Sequence, residues 1–168
     1  MKENIVLCGF MGCGKTSVGK ILAQKTGRTF CDTDLYLEDK FGMEITEIFS
    51  RYGEQRFREM ENEVVKEVSA KQNMVIACGG GTVLREENVK IFRENKSKIF
   101  LLDTPIEMLQ ERLSSDVKRP LLQKPNRQEI IEELYSERIH QYRAAADEII
   151  PAGMPVIAVV KKMMKEYL

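Results

Sequence analysis

Residues Gly9-Phe10-Met11-Gly12-Cys13-Gly14-Lys15-Thr16 stand between the apolar run Asn4 to Cys8 and a segment with Val18, Ile21, Leu22 and Lys25 at helical spacing, closed by Gly27. Strand, tight loop and helix follow one another there. The loop satisfies G-x-x-x-x-G-K-[ST] in the setting that motif requires. Glycines let the backbone wrap round a phosphate with its N–H groups inward, and the helix N-terminus adds positive potential. Lys15 then spans the β and γ phosphates, and the Thr16 hydroxyl ligates Mg²⁺. With Gly at about 7% of residues, a chance match in a chain this long is on the order of one in a hundred. The stretch reads as a nucleoside triphosphate site.

Outward from it, Thr29-Phe30-Cys31 stops at Asp32-Thr33-Asp34, and Met74-Val75-Ile76-Ala77 runs into Gly79-Gly80-Gly81. Ile99-Phe100-Leu101-Leu102 ends at Asp103-Thr104-Pro105, with Pro105 suited to a first helical turn, and Glu148 to Ile150 makes a last short strand before a C-terminal helix. Apolar runs without polar alternation suit strands buried on both faces. Phe57, Met60, Val64, Val65 and Val68 mark a long amphipathic helix, and Asn126 with Glu129 predicts a capped start for a helix through Ala146. Residues 113–125 read as an exposed loop. Alternation of strand and helix implies a parallel sheet covered on both sides, with ligands beyond the carboxyl ends of its strands.

The 168 residues are 43% apolar and 31% charged, enough for one domain with a real core, and no repeat or linker divides them. Twenty-six Lys and Arg against 26 Asp and Glu leave no net charge, which excludes nucleic-acid binding driven by bulk charge. No apolar run approaches the roughly 20 residues of a membrane span, and the start lacks a signal-peptide core, so a cytoplasmic protein without membrane partners is expected. Cys8, Cys13, Cys31 and Cys78 form no C-x-x-C pair and read as reduced thiols. His140, the single histidine, is assigned no role.

A triphosphate site alone does not name the acceptor. The chain lacks a guanine-reading N-K-x-D and is short for a mechanical ATPase, which favours a small-molecule or nucleotide kinase. Asp32 and Asp34 end a strand beside the first, where one can hold Mg²⁺ and its waters and the other an acceptor hydroxyl. The plainer reading makes Asp34 the N-cap of a helix from Leu35. Arg58, next to Phe57, has Glu61 one turn on, so its guanidinium can be held to receive a carboxylate, or the pair is a solvated surface ion pair. Gly79, Gly80 and Gly81 allow a ligand to approach bare N–H groups, or form a plain turn. Arg119, in the polar loop, can swing over the phosphates, and Arg138 can turn a second guanidinium toward the acceptor. Either arginine alone reads equally as surface charge.

Taken together these residues resemble shikimate kinase through nearly the whole chain. The loop is GFMGCGKT, the D-x-D is Asp32 to Asp34, and G-E-x-x-F-R-x-x-E spans Gly53 to Glu61. VIACGGGTV carries the triple glycine, R-P-L-L is Arg119 to Leu122, and Y-x-x-R-x-x-x-Y-x-x-x-A places Tyr135, Arg138, Tyr142 and Ala146. The resemblance implies MgATP-dependent phosphorylation of the 3-hydroxyl of shikimate, on the way to chorismate and aromatic amino acids. It implies a three-layer α/β P-loop kinase of the nucleoside monophosphate kinase type, with a five-stranded parallel sheet in the order 2-3-1-4-5. A single domain over 1–168 would carry an acceptor region at about 34–61 and a mobile lid at about 113–125.

By the same resemblance Asp34 binds the shikimate hydroxyls and acts as base or orienter, while Arg58 and Arg138 hold the carboxylate and Gly79 to Gly81 meet the ring hydroxyls. Lys15 and Arg119 stabilise the transferring phosphoryl group. Gly12, Cys13, Gly14, Lys15, Thr16, Ser17, Arg112, Arg119 and Pro155 hold ATP, Arg112 by packing on adenine. Thr16 and, through water, Asp32 serve Mg²⁺. Cys13 and Thr16 are slight departures from the usual small residue and Ser, and the segment from Pro151 is less family-like. A monomer is the default. The rivals are gluconate kinase, a nucleoside monophosphate kinase, or a silent nucleotide-binding module.

Overall fold

The computed structural model describes residues 3–117, 119 and 122–168. The central strands are β1 (Ile5–Cys8), β3 (Met74–Ala77) and β4 (Lys98–Asp103), flanked by β2 (Thr29–Asp32) and β5 (Glu148–Pro151). All pairings are parallel, in the order β2-β3-β1-β4-β5, as the resemblance implied; β2, expected beside β1, pairs instead with β3, which stands between them. The two innermost continuous runs, IVLC and MVIA, are buried at every position because helices cover both faces. Those helices are α1 (Lys15–Thr26), α2 (Thr33–Phe41), α3 (Ile45–Ala70), α4 (Glu86–Glu94), α5 (Ile106–Leu113), α6 (Arg127–Ala145) and α7 (Val156–Tyr167), with a 3₁₀ turn at Thr82–Leu84.

Boundaries moved by only a residue or two. Gly27 closes α1 in the left-handed conformation, where its N–H reaches the Ala23 carbonyl. The long helix α3 buries Phe57, Met60, Val64, Val65 and Val68 in the core, but it is broken at Gly53, whose φ of 77° and ψ of 177° no helix contains. Two expectations about helix starts fail. Asn126 stands at the N-cap of α6, yet its side chain makes no capping bond. The cap of α2 is Asp32, whose Oδ1 accepts the N–H groups of Asp34 and Leu35, so Asp34 lies inside the first turn and does not cap. Of the expected lid over 113–125, Lys118, Pro120 and Leu121 lie outside the described residues; Asp116 and Arg119 are described and paired with each other.

Asn4 ties the layers together below β1. Its amide nitrogen donates to the carbonyls of Ser69 and Lys71 at 3.3 and 2.6 Å, and its oxygen accepts the Met74 N–H at 2.9 Å. One buried amide thereby fixes the turn from α3 into β3. Asn4→Ala leaves the Met74 N–H unsatisfied in the interior and is expected to cost about 2 kcal/mol in urea denaturation, with the slope of the transition unchanged.

Candidate active site

The carboxyl ends of β1, β2 and β3 open into a cavity of about 660 Å³, lined among others by Gly12 to Ser17, Asp32, Asp34, Arg58, Gly79 to Gly81, Arg112, Arg119 and Arg138. Every predicted site residue is there except Pro155, which caps α7 from an exposed position while its neighbours Met154 and Val156 line the wall.

At one end the loop after β1 turns on Gly12 and Gly14, whose φ values of 78° and 99° place them in the region that side chains resist. Helix α1 begins at once at Lys15, leaving its first N–H groups without intrahelical partners and facing the cavity end. Lys15 Nζ donates to the carbonyls of Gly9 and Phe10 at 2.8 and 3.1 Å. Arg112 reaches across from α5 to the Gly12 carbonyl at 3.0 Å. The Cys13 side chain turns inward and is buried, so this residue offers the cavity its backbone; burial also pushes the Cys8 thiol up to about 12. All four cysteines are buried free thiols.

Thr16 Oγ1 donates to Asp32 Oδ2 at 2.9 Å, beside the loop. This pair of hard oxygen donors fits Mg²⁺, an ion that takes one or two protein oxygens and completes its shell with phosphates and water. Among the described residues no group of three or more His, Cys, Asp or Glu forms a self-sufficient metal cage.

The other end is built around a buried carboxylate. Glu61, only 2% exposed, accepts Arg58 Nη1 at 2.9 Å and Thr82 Oγ1 at 2.8 Å. The Phe57 ring lies 5.1 Å from the guanidinium carbon. Arg58 is thus fixed, and the exposed-ion-pair reading of R-x-x-E fails here because α3 packs Glu61 inward. Nor is the triple glycine a plain turn. A Cβ on Gly81 would stand 2.5 Å from Arg58 Nη1, and one on Gly79 would stand 2.5 Å from Asp34 Oδ1. Bare backbone makes the room in which the guanidinium and the carboxylate sit.

The chain that builds this cavity matches a known family. The family model described as shikimate kinase matches residues 11–167. The chain belongs to the shikimate kinase family. A shikimate kinase of Thermodesulfovibrio yellowstonii is 47% identical over 165 residues, covering 98% of this chain and 95% of its own. The crystallised shikimate kinase from Acinetobacter baumannii, solved in complex with shikimate, has a TM-score of 0.91 at 34% identity, over 98% of this chain and 92% of that one. A gluconokinase from Sinorhizobium meliloti shares the fold alone, at 16% identity with a TM-score of 0.61 over 97% of this chain and 90% of its own.

Several hydrogen-bonding partners in the cavity were not legible in the sequence. Thr82 as the second donor to Glu61, and Thr33, whose Oγ1 accepts the Gly79 N–H at 3.0 Å, leave no pattern in the chain. Asp116, which accepts both the backbone N–H and the guanidinium of Arg119, had a signal in its i,i+3 spacing.

Asp34 is raised from 3.8 to about 6, first by burial and then by the Asp32 and Glu61 carboxylates, with Lys15 pulling the other way. Its native acidity is weaker than in the unfolded chain, so ionisation costs stability above pH 6. That cost fades as the pH falls from 6 toward 4. At about 1.4 kcal/mol per pH unit the ceiling is roughly 3 kcal/mol. Asp34→Asn is therefore expected to stabilise the free protein by on the order of 1–3 kcal/mol at pH 7.5 and by almost nothing at pH 4, measured by denaturant melts across pH.

Proposed function

We infer that the protein transfers the γ-phosphoryl group of ATP to the 3-hydroxyl of shikimate, in the route to chorismate and aromatic amino acids. The observation that carries this reading is the Arg58 guanidinium, locked by buried Glu61 in the same cavity as the phosphate loop. A small acceptor with a carboxylate and several hydroxyls needs such a complement: fixed guanidinium groups, a carboxylate and backbone donors.

In this reading Arg58 and Arg138 take the acceptor carboxylate. Asp34 orients the hydroxyl and receives its proton, and a carboxylate near 6 is ionised for that task at neutral pH. The bare N–H groups of Gly80 and Gly81 meet the ring hydroxyls. The N-terminus of α1, Lys15 and Arg119 offset charge on the phosphates, with Gly12, Cys13, Gly14 and Ser17 as backbone and rim of their cradle. Arg112, anchored on Gly12, stands where adenine would stack; Met154 and Val156 supply the apolar wall there in place of Pro155.

Thr16 and Asp32 would hold Mg²⁺. Bound there, the ion neutralises phosphate charge and orients the transferring group. The chain acts as one domain, with the acceptor region at 34–61 and a lid at 113–125 that carries Arg119 over the phosphates and excludes water. The complete set of groups within one cavity supports a monomer, and the balanced charge supports a cytoplasmic enzyme.

Release of ADP with MgATP and, in parallel, shikimate, gluconate, AMP or no acceptor tests the reading. Turnover well above the background rate is expected with shikimate alone, and turnover confined to another acceptor overturns it. Asp34→Asn should lower kcat by about 100-fold or more with KM for ATP little changed. Below pH 6 wild-type kcat/KM should fall as Asp34 takes up its proton. Arg58→Ala should raise KM for shikimate by roughly 30-fold and leave KM for ATP near its original value.

A further inference from the structure

Tyr142 is 1% exposed on the inner face of α6, and the roles above do not use it. Its hydroxyl donates to the Gly80 carbonyl at 2.5 Å, joining α6 to a loop 62 residues away. The guanidinium of Arg138, one turn earlier on α6, interacts with the same oxygen and lines the cavity. The phenol oxygen thus bonds one group that faces the acceptor and interacts with the charge of another.

The hydrogen bonds of the glycine loop show what this contact completes. The Gly79 N–H is taken by Thr33, and the Gly79 and Gly81 carbonyls accept the N–H groups of Thr82 and Leu84 at 3.2 Å. Gly80 presents the one remaining carbonyl, and Tyr142 takes it. Among the described residues the N–H groups of Gly80 and Gly81 have no protein partner. Three carbonyls tied back and two N–H groups left over is the arrangement of a donor site for oxygens of a ligand. Glycine has no side chain to restrain its peptide plane, so the orientation of the Gly80–Gly81 peptide depends on what holds its oxygen.

We propose that Tyr142 is a positioning residue for the acceptor, its hydroxyl holding the Gly80–Gly81 peptide with its N–H toward the ligand while it steadies the Arg138 guanidinium. The inference rests on the proposed acceptor site and adds to it a residue that touches no substrate. Burial raises the pKa of the phenol, against the pull of Lys15 and Arg138, so the hydroxyl keeps its proton and remains a donor at neutral pH.

Tyr142→Phe removes one oxygen and keeps the ring in place. Expected is a roughly tenfold weaker binding of shikimate, by calorimetry without nucleotide and as a rise in KM, with KM for ATP unchanged and a melting temperature close to that of the parent. In an Arg138→Met background the same change should cost less, since part of its effect passes through that guanidinium. Unchanged shikimate affinity in Tyr142→Phe, equal losses toward both substrates, or full additivity with Arg138→Met overturns the inference. A parent protein that binds no shikimate overturns the proposed function and this inference with it.

Discussion

The parallel pairing of β1 with β3 and β4 is the constraint on which the site depends. Register Leu7 with Ala77 brings the loop that begins at Gly9 beside the glycines that begin at Gly79, and Asp32 pairs with Ala77 on the far side. Parallel strands end on the same edge, so three loops from distant parts of the chain meet there without any contact between them being needed to bring them together. The central runs tolerate no polar residue because both faces are covered. Packing at the core and convergence at the edge are consequences of the same topology.

Along that edge the charges follow two different rules. Glu61 is buried but fully satisfied, by Arg58 and Thr82, so its charge orders the guanidinium and makes the local geometry unique. Asp34 is shielded among other carboxylates, whose effect with burial outweighs the pull of Lys15, and its acidity shifts accordingly. One carboxylate is spent on architecture and the other is kept in a less favourable state, poised near neutrality. An ordering carboxylate and a destabilised one thus stand 27 positions apart in the chain.

Much of this was legible in the chain because it rests on local signals. The phosphate loop, the strand endings and the helical spacing of Phe57 to Val68 are short-range patterns, and strand order followed from the resemblance. What failed were statements that needed the third dimension. Asp34 and Asp32 are alike in type, and only the path of β2 into α2 makes Asp32 the cap. R-x-x-E reads the same on a wet surface and in a core, and burial by α3 decides between them. Pro155 stands exposed at the start of α7, between the lining residues Met154 and Val156. The bonds from Thr33, Thr82 and Tyr142 to the acceptor end span 21 to 62 residues and have no sequence signature.

The missing side chains of Gly79 and Gly81 have an evolutionary corollary. Those positions shape the site by what they lack, and any side chain there would displace either the Asp34 carboxylate or the Arg58 guanidinium. Each of the two glycines is therefore constrained by the neighbour it admits, whatever else in the chain is free to change.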